Sequence, residues 1–420
     1  MTEDKKLSFN IKAVPFERYF QDLDDLKDFN ENYRRGLLTH VSGELRKELA
    51  DSEFSISYDD TSFEVVVDKI AKTEELNDFI NRQMRYYYEK NQVHITRMFG
   101  SYVLITGSEE KLEAVKATPI PIKHCPLMVK LLKEVGGETA ESLLKTLQDN
   151  DPVFQAKAMC RLINEVVIKG GYFDTNRPLN SCEANVLFGA SETMASAFEA
   201  GLIDAAVIVS NNLGTIITTN ASNTQGAVKR MTGLFYTSPS EKIMQTAIDA
   251  EIIPVFPYLA NIDQVFGVKK AIDLGYKNIA VSVAASENYL HGKMKELEKK
   301  HGVKIYKFGL CSTGISEEVA NIMKDNADVV WSCASKYVKE LIAPNSVAQV
   351  GAKIPVHVMN EQGWEIIKNH LQKIEGNIDF DKVKLSKSED KPIFLREEQG
   401  IKQVEQKDIS KCIDCPHPCI

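Results

Sequence analysis

Between Leu179 and His370 the chain alternates short apolar runs with amphipathic stretches of helical period. The runs Ala184–Phe188, Ala205–Ser210, Ile216–Thr219, Ile252–Phe256, Ile279–Val283, Val303–Leu310, Val329–Ser332 and Val356–Met359 read as strands, each bounded by turn residues. Helical patterns are expected at Ser191–Ala200, Ser240–Ala250, Ile262–Leu274, Glu287–His301, Ser316–Asn326, Ser335–Ile342 and Gly363–Leu371. This alternation predicts an α/β fold with a doubly wound, mostly parallel, Rossmann-like sheet. Several of the runs are apolar throughout, as strands covered on both faces should be.

Upstream the pattern changes. Residues 1–54 are charged and weakly periodic and read as a helical arm. Residues 55–150 predict a smaller α+β domain. Its pieces are a strand at Phe63–Val67, an amphipathic helix at Glu74–Tyr88, a hairpin of Val93–Phe99 with Tyr102–Thr106 about Gly100-Ser101, and a helix over Glu109–Ala117. Asp151-Pro152 has the form of a helix start and opens the α/β unit, residues 151–371. Beyond Leu371 the periodicity is lost, so 372–420 reads as a linker and a cysteine-rich tail.

Composition narrows the function classes. The 420 residues carry a net charge of -8, which argues against nucleic acid or an anionic membrane as the main partner. No apolar run is long enough for a spanning helix, and Met1-Thr2-Glu3-Asp4 lacks the apolar core of a secretory signal. The expectation is a cytoplasmic protein whose eight cysteines are reduced, metal-bound or buried.

In an open α/β sheet, ligands bind outside the carboxyl ends of the strands. Two of the expected strands end in cysteine, Cys311 and Cys333, and each is followed by small polar residues and a helical pattern. Thiols so placed would face one crevice. Ser191, Asn211, Asn212, Thr215, Ser312 and Thr313 fall at the same rim and, with Arg230 from the polar stretch that follows, are candidate ligand-binding residues. Glu192 and Lys336 are candidate catalytic groups that would orient a substrate. Neither Gly-x-x-x-x-Gly-Lys-Ser/Thr nor Gly-x-Gly-x-x-Gly occurs, which argues against a standard nucleotide site. The chain ends Cys412-Ile413-Asp414-Cys415-Pro416-His417-Pro418-Cys419-Ile420. Three thiolates this close can hold three corners of a 4Fe-4S cluster, with zinc, aided by His417, as the alternative. Cys125, Cys182, Cys311 or Cys333 could then supply a fourth ligand.

The chain resembles the methanogenesis marker protein 8 family, a domain of unknown function in methanogenic archaea and some anaerobic bacteria. The likeness rests on Phe188-Gly189-Ala190-Ser191-Glu192, Val207–Thr219 with Gly214-Thr215, Gly233 with Thr237, Ile262-Asp263-Gln264 with Gly267-Val268, and Ile279-Ala280-Val281. The resemblance implies an anaerobic cytoplasm and specialised cofactor or metalloenzyme metabolism, and it assigns no catalytic residue. The leading expectation is an iron–sulfur protein acting on, or maturing, a small molecule or metallocofactor. Its metal ligands would come from Cys311, Cys333, Cys412, Cys415 and Cys419. One rival is a metal-free cysteine-dependent transferase or lyase. Another is a non-catalytic assembly factor for a metalloenzyme complex; the expected partners are a small-molecule or cofactor-precursor ligand and a second copy of the chain or a larger metalloenzyme assembly.

Overall fold

The computed structural model describes residues 5–49, 54–67, 73–122, 132, 136–147, 149, 151–183, 186–228, 233–352, 354–374, 378–387, 390–397 and 400–404. Strands are numbered in chain order. β1 (Lys5–Asn10), β2 (Phe54–Tyr58) and β3 (Ser62–Val67) form a three-stranded sheet in the order β1-β3-β2. The helices Phe29–Glu48 and Thr73–Lys90 bury Leu37, Val41, Leu45, Ile80 and Met84 in a shared core with Phe63 and Val65 of β3.

A second sheet contains β4 (Gln92–Met98), β5 (Ser101–Ser108) and β6 (Lys111–Ala117). Phe99 and Gly100, at φ 53° and 86°, make the two-residue turn from β4 to β5. The helix expected over Glu109–Ala117 is instead β6: a two-residue turn at Glu109-Glu110 folds it back on β5, so pairing overrides helix propensity.

The large sheet has ten strands. They are β7 (Ala205–Ser210), β8 (Gly214–Thr218), β10 (Ile253–Pro254), β11 (Asn278–Ala284), β12 (Lys304–Leu310), β13 (Val329–Trp331), β14 (Ala348–Val350), β15 (Val356–Val358), β16 (Ile393–Glu397) and β17 (Gly400–Val404). Their order is β10-β8-β7-β11-β12-β13-β15-β14-β16-β17. The centre, β7-β11-β12-β13, is parallel; β8, β15 and β17 run against it, so the sheet is mixed. Side chains of β7 alternate between two cores: Ala206 and Ile208 on one face, Ala205 and Val207 on the other. Helices therefore cover both faces. Val186–Phe188, expected within the first strand, is a turn (Ala184 and Asn185 lie outside the described residues). The expected linker after Leu371 contains β16 and β17, and Phe394 of β16 stacks on Trp364 at 5.5 Å between ring centres.

One strand from the α/β stretch of the sequence is contributed to the smaller sheet. β9 (Gly233–Thr237) lies in the α/β stretch of the sequence but pairs antiparallel with β4. The sheet β6-β5-β4-β9 thereby covers the carboxyl ends of the central parallel strands. Among the described residues, no helix is long and apolar enough to cross a membrane.

Candidate functional site

Three parallel strands end in a left-handed, non-glycine residue: Asn212 after β7 (φ 61°), Ala285 after β11 (φ 45°) and Cys311 after β12 (φ 51°). L-residues adopt this backbone at a cost of roughly 1–2 kcal/mol. Clustering of such residues points to a rim held in shape by its surroundings.

At β12 and β13 the loops are stitched to each other. Ser312 Oγ donates to the Trp331 carbonyl at 3.0 Å and accepts from the Cys333 N–H at 2.9 Å. The Gly314 N–H reaches the Ala334 carbonyl at 3.0 Å. Trp331 Nε1 donates to the Phe188 carbonyl at 2.6 Å, tying in the turn before the helix Ala190–Glu199. The stitching brings Cys311 and Cys333 together as half-buried, unpaired thiols that feel each other electrostatically.

The covering sheet supplies the rest of the surroundings. Arg97 of β4 donates to the carbonyls of Cys311 (2.9 Å) and Thr313 (2.5 Å). Its guanidinium lies 5.1 Å from the centre of the Tyr102 ring. The Gly233 N–H, at the start of β9, donates to the Cys311 sulfur, and a Cβ at Gly233 would sit 3.5 Å from that sulfur. Burial, then the neighbouring Cys333 thiol, pushes the Cys311 thiol up to about 11; Arg97 and the Gly233 N–H act in the opposite direction.

The other candidates have different surroundings. Asn211, Asn212 and Thr215 are fully buried. Asn211 Nδ2 donates to the Tyr172 carbonyl at 2.7 Å, and Thr215 Oγ1 accepts from the Asp263 N–H at 2.8 Å. The Asn212 N–H donates to Thr237 Oγ1 at 2.9 Å, and its side-chain amide donates to Gln92 Oε1 (3.2 Å) and the Ser238 carbonyl (3.1 Å). His94 completes the ring, with Nδ1 2.8 Å from Thr237 Oγ1 and Nε2 2.8 Å from Gln92 Oε1. The consistent assignment is a neutral imidazole that accepts at Nδ1 and donates at Nε2. Burial holds its pKa down to about 3.

Glu192 is buried and staples its own loop. It accepts from the Val186 N–H (3.0 Å), Gln225 Nε2 (3.1 Å) and Ser191 Oγ (2.9 Å). Lys336 is exposed, three residues beyond Cys333, with its ammonium 5.4 Å from the Tyr337 ring. Cys182 is exposed, and Cys160, within the helix Pro152–Leu162, is half-buried against the core. Arg230, Cys125, Cys412, Cys415 and Cys419 lie outside the described residues. Among the described residues no three His, Cys, Asp or Glu side chains converge as a metal site.

The sequence singles out neither Arg97 nor His94, and marks Gly233 only as part of the family likeness. Arg97 and His94 lie inside an ordinary alternating strand, and nothing local says that β4 will be laid across the end of β12.

No solved structure matches the chain. "Uncharacterized protein MJ0054" of Methanocaldococcus jannaschii is 35% identical over 297 residues, covering 70% of this chain and 93% of the relative. A family model matches residues 94–372, a span that holds Arg97, Gly233, Cys311 and Cys333 and stops short of the terminal cysteines. The chain belongs to that family, described as an uncharacterized protein conserved in archaea (DUF2099).

Proposed function

We propose that this protein is a thiolate metal-centre protein of anaerobic metabolism, with an iron–sulfur cluster as its cofactor, acting on or maturing a small molecule or metallocofactor. The finer resemblance to the methanogenesis marker 8 proteins belongs to this reading. The observation that carries it is the meeting of Cys311 and Cys333, 22 residues apart in sequence, as unpaired thiols on neighbouring strand ends. The donor set fits in kind: soft sulfur ligands, one already receiving a backbone N–H, as sulfur ligands of such clusters do. A thiolate-bound cluster with one open iron supplies Lewis-acid or one-electron chemistry when bound.

The chain's own residues have defined parts in this reading. Cys311 and Cys333 are two of the ligands, and Ser312 fixes their spacing by bonding to both loops. Cys412, Cys415 and Cys419 are the source of the remainder. β17 ends at Val404, at the rim opposite the two thiols, so eight residues separate it from Cys412 and fifteen from Cys419. At about 3.3 Å per extended residue these spans reach about 26 Å and about 50 Å.

The rival of a metal-free cysteine nucleophile calls for a lowered thiol pKa, and burial pushes Cys311 the other way. A metal ion would displace that thiol proton, so loading should release protons. Anaerobic preparation followed by iron and acid-labile sulfide analysis tests the proposal. Stoichiometric iron and sulfide are expected; colourless protein with neither element contradicts it.

A further inference from the structure

Arg97 is 7% exposed, and among the described residues it has no carboxylate partner. Its two terminal nitrogens are taken by main-chain carbonyls, while its buried Nε has no acceptor. A buried guanidinium without a counter-charge is unfavourable. The setting makes this more pointed. The chain has 59 acidic residues against 51 basic ones, yet among the described residues the groups set around the Arg97 guanidinium are two main-chain carbonyls and the Tyr102 ring. Lys336 adds a second cation at the rim. Two thiols are thus set against one buried cation whose negative partner is not part of the described protein.

We infer that the Cys311–Cys333 site is built for an anion, and that Arg97 is the positioning residue that balances the charge of what the thiols hold. The inference rests on the two cysteines forming one site, as in the reading above. The ligand class is one of net negative charge beside sulfur, either a thiolate-bound cluster or a small-molecule carboxylate.

Two alkylating reagents of similar size test this on the full-length, metal-free protein. Iodoacetate carries a negative charge and iodoacetamide none. The same thiolate attacks the CH2 carbon of either reagent and displaces iodide, so the ratio of their rates cancels the thiol's ionisation and reports the local potential. Rates at Cys311 and Cys333 are read by peptide mass spectrometry, with exposed Cys182 as the internal reference. The iodoacetate-to-iodoacetamide ratio at Cys311 should exceed that at Cys182 by about fivefold, the size expected for one nearby charge in a partly screened site. Arg97→Gln should bring the ratio to that of Cys182, and Arg97→Lys should keep most of it.

A wild-type ratio at or below that of Cys182 overturns the inference, whether or not Arg97→Gln folds. So does an unchanged ratio in Arg97→Gln, or failure of either thiol to react with iodoacetate in the folded protein. The metal reading fails separately. Absent iron with a high ratio leaves an anion site for a carboxylate, shown by acetate slowing iodoacetamide at both thiols. Iron present with a ratio at parity sinks the anion site alone. Loss of iron in Arg97→Gln, with the high wild-type ratio, identifies the cluster as the anion.

Discussion

The rim after β7 and the rim after β12 and β13 look alike in sequence, and the fold treats them differently. Both present small polar residues beyond apolar strands: Ser210-Asn211-Asn212 in one case, Cys311-Ser312-Thr313 and Cys333-Ala334-Ser335 in the other. At β7 the amide groups of Asn212 bind Gln92, Thr237 and Ser238 of the covering sheet's β4–β9 region, and His94 closes the ring. Those groups fasten one sheet to the other. At β12 and β13 the fastening is done by Ser312 and by Arg97, and the thiols are left over. Polar residues at a strand end are free for a ligand only where the structure has no other use for them.

The comparison breaks first at Asn212. Asn212→Ala should lower unfolding free energy by about 3 kcal/mol, because it leaves buried partners unsatisfied and puts alanine at a left-handed position that asparagine tolerates better. Urea denaturation measures it; a change under about 0.5 kcal/mol, the range of ordinary surface substitutions, would mean the ring is not structural.

A second effect is pH dependence. Burial holds His94, His291 and His357 down to about 3 each. A histidine depressed in the folded state contributes stability that is present above the unfolded pKa, near 6.5, and is lost as pH falls toward the folded value. The urea midpoint should therefore fall between about pH 6.5 and pH 4, with up to about three protons taken up on unfolding. His94→Gln should remove about one of them. A midpoint that is flat over that range contradicts the buried neutral assignment.

The smallest effect is at the rim itself. Lys336→Ala should change stability by less than about 0.5 kcal/mol, since Lys336 is exposed with only a ring contact. Any loss of metal or ligand affinity in that variant would then be electrostatic.

Much of the fold was legible because its signals are local. The β4–β5 hairpin follows from alternation on either side of a short turn, although the turn residues are Phe99-Gly100 and not the expected Gly100-Ser101. β7, β8, β11, β12 and β13, and the helices Glu241–Asp249, Gln264–Asp273, Leu290–His301 and Glu317–Asn326, fall on the expected runs, whereas the helix Ala221–Val228 lies in a polar stretch where none was expected. What escaped is non-local. The Thr96 hydroxyl of β4 donates to the Gly233 carbonyl of β9, 137 residues away, and no short pattern announces that pairing. β6 has the composition of a helix, and β16 and β17 sit in a charged stretch that gains its order from the edge of the sheet. The same blindness affected the site. The pairing of Cys311 with Cys333 follows from adjacent strand ends. The burial of Asn211 and Asn212 does not, because their sequence cannot distinguish solvent from a second sheet laid over them.

The central claim is that the two strand-end thiols hold metal. Iron per chain in anaerobically prepared Cys311→Ser and Cys333→Ser, against wild type and Cys182→Ser, tests it most directly. The account predicts full occupancy in wild type and Cys182→Ser, with loss of most of the iron in each of the other two. Iron retained at the wild-type level in both Cys311→Ser and Cys333→Ser would contradict it.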